Sequence, residues 1–147
     1  MEPVRVMLVD DNPTFLRITA RFITAEDWIE VQGSALSGEE AVTIAPRLQP
    51  DVILLDLNMP GAGGLAAIPR LRQLVPDARI IALTLLDTEG YRDAALEAGA
   101  DRFVPKSSMN QDLIPVILDA VSEWRGNPER GGQPRHGYLG PEGEAVE

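Results

Sequence analysis

The chain has 147 residues, of which 44% are apolar and 24% are charged, and its formal net charge is -10. These values are typical of one soluble globular domain, and without a long apolar stretch or a secretion leader we expect a cytoplasmic protein. The absence of cysteine excludes disulfides and thiolate metal sites, and the single histidine, His136, leaves no imidazole cluster for zinc. The acidic charge argues against direct binding to a nucleic-acid backbone. Any metal must therefore be bound by oxygen ligands, and a protein partner is favoured over DNA.

Five apolar runs alternate with five segments of roughly helical periodicity. Because the central runs are too apolar to have a solvent-facing side, the alternation predicts a parallel sheet covered by helices on both faces. We therefore expect a doubly wound α/β domain over residues 1–125. The predicted strands are Val4–Val9, Ile29–Ala35, Val52–Leu57, Ala78–Thr84 and Arg102–Val104. The predicted helices are Pro13–Ala25, Gly38–Leu48, Leu65–Val75, Thr88–Ala98 and Asp112–Trp124.

Local signals support most of these boundaries. Asn12 followed by Pro13 is typical of an N-cap and a first helical residue, Ser37 is a second candidate N-cap, and Gly99 is a candidate helix stop. Three prolines fall inside or late in predicted helices, where proline should kink or shorten the helix unless it lies in the first turn. They are Pro46, Pro69 and Pro115.

The last 22 residues, 126–147, have a different composition, with six glycines and three prolines. Few large apolar side chains besides Tyr138 and Leu139 are present, so this segment cannot bury enough surface to offset its ordering entropy. We expect a flexible tail or linker, in which His136 is solvated rather than a carrier of phosphoryl groups.

Three aspartates follow apolar runs. Asp10 and Asp11 come directly after the first predicted strand, and Asp56 lies at the end of the third. If both runs are parallel strands, the three carboxylates converge at one edge of the sheet. At about 4 Å and an effective dielectric constant near 20, each like-charge pair would cost about 4 kcal/mol. The cluster therefore needs a cation, a shared proton or both, and a hard divalent metal is the simplest answer.

The other strand ends add a hydroxyl and an ammonium group. Thr84 ends the fourth strand, and Lys106, which is the only lysine among 13 basic residues, follows the fifth. This set of groups suits phosphoryl transfer to a carboxylate, with Mg²⁺ neutralising charge on the donor. Lys106 would neutralise one phosphoryl oxygen and Thr84 would donate a hydrogen bond to another. Taken singly, the same residues are ordinary strand-end, helix-start or solvated residues.

The joint pattern resembles the CheY-like receiver domain of two-component response regulators over residues 4–124. The resemblance implies a flavodoxin-like sheet with strand order 2-1-3-4-5. Residues 95–101, followed by residues 103–107, are most similar to receivers that precede a LuxR-type helix-turn-helix. The residues that carry the resemblance are Asp10, Asp11, residues 56–61, Thr84, and Phe103 three residues before Lys106.

The resemblance implies that Asp56 accepts a phosphoryl group from a sensor histidine kinase, a phosphotransfer protein or a small phosphodonor. Asp11, Asp56 and the backbone carbonyl of Asn58 would bind Mg²⁺, and Asp10 would act mainly through water. The domain would catalyse at most its own phosphorylation and dephosphorylation.

A switch pair is also implied by the resemblance. When Thr84 moves to the phosphoryl group, Phe103 turns inward and remodels the face made by the last two helices and the last strand. We expect an activated homodimer at that face. DNA would be bound only by an output domain that this chain does not contain.

Leu85 and Leu86 depart from the receiver pattern, in which a small residue follows the switch hydroxyl. Their bulk near the site predicts restricted access for water and small phosphodonors, and hence slow dephosphorylation.

Three alternative functions stay open. A phosphohydrolase with an aspartate nucleophile would need a second acid two residues after Asp56, where Asn58 lies instead, and an amide cannot shuttle a proton. A receiver-like interaction module that ignores phosphate would lack the acceptor, an acid of the pair or the lysine. A stand-alone receiver would act without a transcriptional output domain.

Overall fold

The computed structural model describes residues 2–60, 63–85 and 89–125. In this part of the chain five strands alternate with five helices. The strands are β1 (Val4–Val9), β2 (Ile29–Ala35), β3 (Val52–Asp56), β4 (Arg79–Thr84) and β5 (Arg102–Pro105). The helices are α1 (Pro13–Thr24), α2 (Gly38–Leu48), α3 (Gly63–Leu74), α4 (Glu89–Ala98) and α5 (Met109–Arg125), and a 3-10 turn, Lys106–Ser108, joins β5 to α5. All ten predicted elements are present, although α5 begins at Met109 rather than at Asp112.

All five strands are parallel and form one sheet in the order β2-β1-β3-β4-β5, which confirms the predicted architecture and strand order. Successive side chains of a strand point to opposite faces of the sheet. In β1, Val6 and Leu8 pack in the core formed with α1 and α5, whereas Met7 and Val9 pack in the core formed with α2, α3 and α4. Both faces are therefore buried, and the carboxyl ends of the strands meet at one edge.

The predicted caps are confirmed. The side-chain oxygen of Asn12 accepts hydrogen bonds from the backbone N–H groups of Thr14 and Phe15, and Pro13 is the first residue of α1. Ser37 accepts a bond of 3.0 Å from the N–H of Glu40 at the start of α2. Gly99 follows α4 with φ of +125°, a conformation that side chains with a Cβ rarely adopt.

Three prolines were expected to kink or shorten their helices; shortening is wrong for Pro69 and Pro115, and kinking stays a prediction. Helices α3 and α5 run through these residues to Leu74 and Arg125. A proline removes only its own N–H donor, and buried neighbours of each proline, such as Ile68 and Ile117, keep both helices packed on the sheet. Pro46 lies near the end of α2, which stops at Leu48.

An arginine in the last turn of α3 links three segments at the amino ends of β4 and β5. The guanidinium group of Arg72 donates bonds of 2.7 Å to the carbonyls of Ala78 and Gly99, and it forms an ion pair with Asp101. Asp101 also accepts from the backbone N–H of Ile80 at 2.8 Å. This Arg72 network, defined by these contacts, fixes the edge of the sheet opposite the predicted site.

None of the helices in the described ranges is long and apolar enough to cross a membrane. Residues 126–147, predicted to be a tail or linker, lie outside the described residues, as do Thr88 and Leu86.

Candidate functional site

The three aspartates meet at the carboxyl edge of the sheet, as predicted. Asp10 and Asp11 follow β1, and Asp56 ends β3, which pairs with β1 in parallel register. One carboxylate oxygen from each residue lies within 4.8 Å of the others. Asp10 and Asp56 are each only 2% exposed, whereas Asp11 is exposed to solvent. Oxygen donors at this spacing, open on the Asp11 side, match the ligand preference of Mg²⁺.

Lys106 supplies a positive charge to the cluster from within the chain. Its ammonium nitrogen lies 2.9 Å from Asp10 Oδ2 and 3.2 Å from Asp56 Oδ1, and its side chain is 11% exposed. The aromatic ring of Phe15 on α1 lies beside the same nitrogen, 4.1 Å from ring centre to Nζ. Sequence analysis placed Lys106 at the site but missed its ion pairs with both carboxylates and its contact with Phe15.

Opposing effects act on Asp56. Burial raises the pKa of its carboxyl above the ordinary value, whereas the backbone N–H of Asn58, which donates at 3.1 Å, and the charge of Lys106 lower it, and the charge of Asp10 raises it. The net direction is upward, so the ionised carboxylate is destabilised in the folded domain. Lys106 therefore offsets only part of the unfavourable energy of the cluster, and a further cation at the site would be stabilising.

Asp10 is held rigidly. Its Oδ1 atom accepts a bond of 2.9 Å from the backbone N–H of Asn12, and its Oδ2 atom binds Lys106. Because Asn12 is also the N-cap of α1, the position of this carboxylate is tied to the start of that helix.

Asn58 connects two loops at the site through its side chain. Its Oδ1 atom accepts bonds of 2.8 Å from the hydroxyl of Thr84 and from the backbone N–H of Leu85. Its Nδ2 atom donates to the hydroxyl of Tyr91 on α4 at 3.3 Å, and that hydroxyl donates to the carbonyl of Leu57 at 3.2 Å. From the sequence, Asn58 was expected to act through its backbone carbonyl and, by its amide, to exclude acid catalysis, but nothing in the sequence predicts these side-chain bonds or singles out Tyr91.

Phe103 does not touch the carboxylates. Its side chain is 8% exposed and packs in the core on the α2, α3 and α4 side of the sheet. The guanidinium carbon of Arg92 on α4 lies 5.2 Å from the centre of its ring. The second predicted switch residue is therefore already buried beside α4 while the Thr84 hydroxyl is bonded to Asn58, and its inward turn on phosphorylation stays a prediction.

Leu85 is 72% exposed, so most of its side chain faces solvent rather than the carboxylates. The restriction of access by Leu85 stays a prediction.

Gly64, in the first turn of α3, packs directly on the backbone of Asp56. A Cβ added there would clash with the carbonyl oxygen of Asp56 and lie 3.0 Å from its carbonyl carbon. We expect Gly64→Ala to lower the free energy of unfolding by about 1–3 kcal/mol, measured by urea denaturation, because backbone rather than a flexible side chain must move.

Gly90 in α4 provides the matched control, since a Cβ there meets nothing within 4 Å. Gly90→Ala should raise the free energy of unfolding by about 0.5 kcal/mol through its better helix propensity. Equal effects of the two substitutions would contradict the close approach of α3 to Asp56.

Residues 6–118 of the chain match the sequence model of the family described as "Response regulator receiver domain". The chain belongs to this family. The receiver domain is 35% identical over 121 residues to the nitrate/nitrite response regulator protein NarL of Escherichia coli (strain K12), covering 82% of this chain and 56% of NarL. It is 34% identical over 114 residues to the response regulator GacA of Pseudomonas viridiflava, covering 78% of this chain and 53% of GacA.

A crystal structure of a LuxR-family two-component response regulator from Aurantimonas sp. SI85-9A1 superposes on the receiver domain with a TM-score of 0.79. The two are 32% identical, and the match covers 83% of this chain and 87% of that one. The chain spans about half the length of the curated relatives it matches. As a receiver domain of two-component response regulators it is a signalling domain, and such domains interact with histidine kinases or phosphotransfer partners.

Proposed function

We propose that this receiver domain accepts a phosphoryl group on Asp56 and uses it to change the surface that binds its partner. The observation that carries the proposal is the convergence of Asp10, Asp11 and Asp56 within 4.8 Å, with Lys106 bonded to two of the three carboxylates. Lys106 offsets only part of the negative charge of this cluster, so a divalent cation would stabilise it and would also neutralise charge on the anionic phosphoryl donor.

Asp56 would be the nucleophile. A carboxylate oxygen forms a bond to phosphorus as the bond between phosphorus and the leaving group of the donor breaks, which gives an acyl phosphate. Lys106 would then neutralise one phosphoryl oxygen, and the Thr84 hydroxyl would donate a hydrogen bond to another. Asp11, Asp56 and the backbone carbonyl of Asn58 would hold Mg²⁺, with Asp10 acting through water. When bound, the ion neutralises charge on the phosphoryl group.

The position of Asn58 favours a lasting phosphoaspartate over turnover of a substrate. A phosphohydrolase would need an acid there to protonate the leaving group and activate water, and a carboxamide does neither. The oxygen of the Asn58 side chain is instead occupied by hydrogen bonds from Thr84 and Leu85.

The proposed phosphoryl donor is a sensor histidine kinase or a phosphotransfer protein. The proposed output is transcriptional, in line with the resemblance to receivers that precede a LuxR-type helix-turn-helix and with the LuxR-family structure. DNA would be bound by a further domain, since the relatives are about twice as long as the match. The face formed by α4, β5 and α5 is the proposed homodimer surface. It carries exposed charge that includes the ion pair between Arg102 and Asp119, with N and O atoms 3.0 Å apart.

Intact mass spectrometry tests the phosphoacceptor role. After incubation with Mg²⁺ and acetyl phosphate, or with a phosphorylated histidine kinase, the domain should gain one phosphoryl group on the peptide that contains Asp56. Chelation of Mg²⁺ should abolish the gain, because the carboxylates then lack the charge compensation that a phosphodonor needs. No added mass with either donor would support the phosphate-independent interaction module instead.

A further inference from the structure

We propose that the carboxamide of Asn58 is a latch, positioned by Tyr91, that competes with the phosphoryl group for the proton of the Thr84 hydroxyl. The inference rests on the proposed function of Asp56. In the resting domain the latch holds Thr84 and Leu85 against Asn58, two residues after the end of β3. Thr84 has to leave Asn58 before it can donate to a phosphoryl oxygen.

The direction of every hydrogen bond in the latch follows from one backbone group. The N–H of Leu85 can only donate, so the Asn58 atom that it contacts at 2.8 Å must be the carbonyl oxygen Oδ1. The Thr84 hydroxyl, 2.8 Å from the same oxygen, must then donate to it. The amide nitrogen of Asn58 donates to the Tyr91 hydroxyl, whose own proton goes to the carbonyl of Leu57.

Asn58 and a phosphoryl oxygen compete because the Thr84 hydroxyl can donate only one hydrogen bond. A hydroxyl carries one proton, and that of Thr84 is committed to Asn58 in this structure. Because Thr84 is fully buried, its hydroxyl reaches the phosphoryl group only by a local rearrangement, not from solvent. Asn58 Oδ1 keeps its bond from Leu85 when Thr84 leaves, so release costs about one neutral hydrogen bond. A bond of that strength shifts the equilibrium between resting and active arrangements about fivefold.

Tyr91 connects the latch to α4 by hydrogen bonds. It lies in the first turn of α4 and binds both Asn58 and the carbonyl of Leu57, so it orients the carboxamide and joins that helix to the loop after β3. Arg92, the next residue, lies over the ring of Phe103. Release of the latch therefore loosens the start of α4 at the same point where α4 covers Phe103. Tyr91 is a positioning residue, since its hydroxyl bonds the Asn58 side chain, which in turn bonds Thr84.

Tyr91→Phe tests the latch because it removes the hydroxyl and keeps the ring. In the unphosphorylated domain with a chelator present, amide hydrogen exchange of Leu85, followed by NMR, should become about fivefold faster. Asn58→Ala should increase the rate further, whereas Asn58→Asp, which keeps an acceptor for Leu85, should leave the amide protected. With Mg²⁺ present, the dissociation constant for beryllofluoride, a phosphoryl analogue, should fall up to about fivefold in Tyr91→Phe.

Leu96→Ala is the matched control, since it truncates a side chain on the same helix that is 41% exposed. It should change neither the exchange of the Leu85 amide nor the affinity for beryllofluoride. Unchanged Leu85 exchange in Tyr91→Phe, or weaker binding of beryllofluoride, would overturn the latch while leaving the phosphoacceptor role intact. A wild-type domain that binds no beryllofluoride would contradict the proposed function itself, and with it the competition.

Discussion

An Asp56→Asn variant should lose at least about a hundredfold in phosphoryl incorporation and yet unfold with a higher free energy than the wild type. The first effect follows because the amide cannot act as the nucleophile. The second follows because the substitution removes a buried negative charge beside Asp10 but keeps an oxygen that can accept from the N–H of Asn58 and from Lys106. Labelling with acetyl phosphate and urea denaturation in a chelator would measure the two effects.

The sign of the stability change depends on pH. Burial raises the pKa of Asp56 in the folded domain above its ordinary value of 3.8, so the folded domain binds this proton more tightly than the unfolded chain does. The free energy of unfolding of the wild type therefore falls as the pH rises from 3.8 through the raised pKa. The gain in the free energy of unfolding of Asp56→Asn should be absent below that window and complete above the raised pKa.

Asp51 offers a matched control that immediately precedes the same strand. Its carboxylate is 3% exposed and accepts from the backbone N–H of Arg5 at 2.9 Å, with the Arg5 Nε atom 3.4 Å away. Asp51→Asn should lower the free energy of unfolding, because the neutral amide weakens an ion pair, and it should keep the phosphoryl label. If both substitutions destabilise the domain at neutral pH, the charge at Asp56 is not the unfavourable one that its burial implies.

Lys106→Met should lower the free energy of unfolding at neutral pH by about 3 kcal/mol in the absence of divalent metal. The substitution removes the cation that binds both Asp10 and Asp56 and keeps an apolar stem beside the ring of Phe15. Two buried carboxylates then face each other without their internal counter-charge. Chemical denaturation in a chelator measures the loss.

The loss in the free energy of unfolding caused by Lys106→Met should become smaller at acidic pH. Lys106 lowers the pKa of Asp56, so without it that pKa rises further above 3.8, and protonation relieves the repulsion. Stability of the variant should therefore fall with rising pH over a wider range than in the wild type. Arg70→Met is the control, because it removes an ion pair with Glu39 in which the two side chains are 51% and 81% exposed, respectively. It should lower the free energy of unfolding by less than about 1 kcal/mol at any pH. A deficit in Lys106→Met that is constant with pH would contradict the pairing with carboxylates.

The order and type of the helices and strands could be predicted because the apolar pattern of the sequence and its helix-capping residues indicate the same elements. The apolar runs that became β1 and β3 have no wet face, and Asn12, Ser37 and Gly99 mark helix ends by the chemistry of their own side chains or, for Gly99, by the lack of one. The meeting of Asp10, Asp11 and Asp56 follows from parallel pairing alone. Topology therefore determines which residues share the edge of the sheet.

What the sequence could not give is how those residues pair. Lys106 could have faced solvent, and only the geometry shows that its ammonium group already binds two carboxylates. The side chain of Asn58 and the hydroxyl of Tyr91 lie 33 residues apart, and nothing in their local spacing predicts a hydrogen bond. Pro69 and Pro115 do not shorten their helices, because packing of neighbouring side chains outweighs one missing donor.

The Arg72 network gives the two edges of the sheet different mechanical roles. At one edge, a single guanidinium group gathers the carbonyls of Ala78 and Gly99 and the carboxylate of Asp101, so the amino ends of β4 and β5 act as a fixed pivot. At the other edge, the two residues proposed to contact a phosphoryl group are Thr84, which ends β4, and Lys106, which directly follows β5. We therefore expect a rearrangement at Thr84 to leave the contacts of Arg72, at the opposite end of β4, intact. Stabilising substitutions placed around Arg72 would stiffen the pivot without altering the chemistry at Asp56.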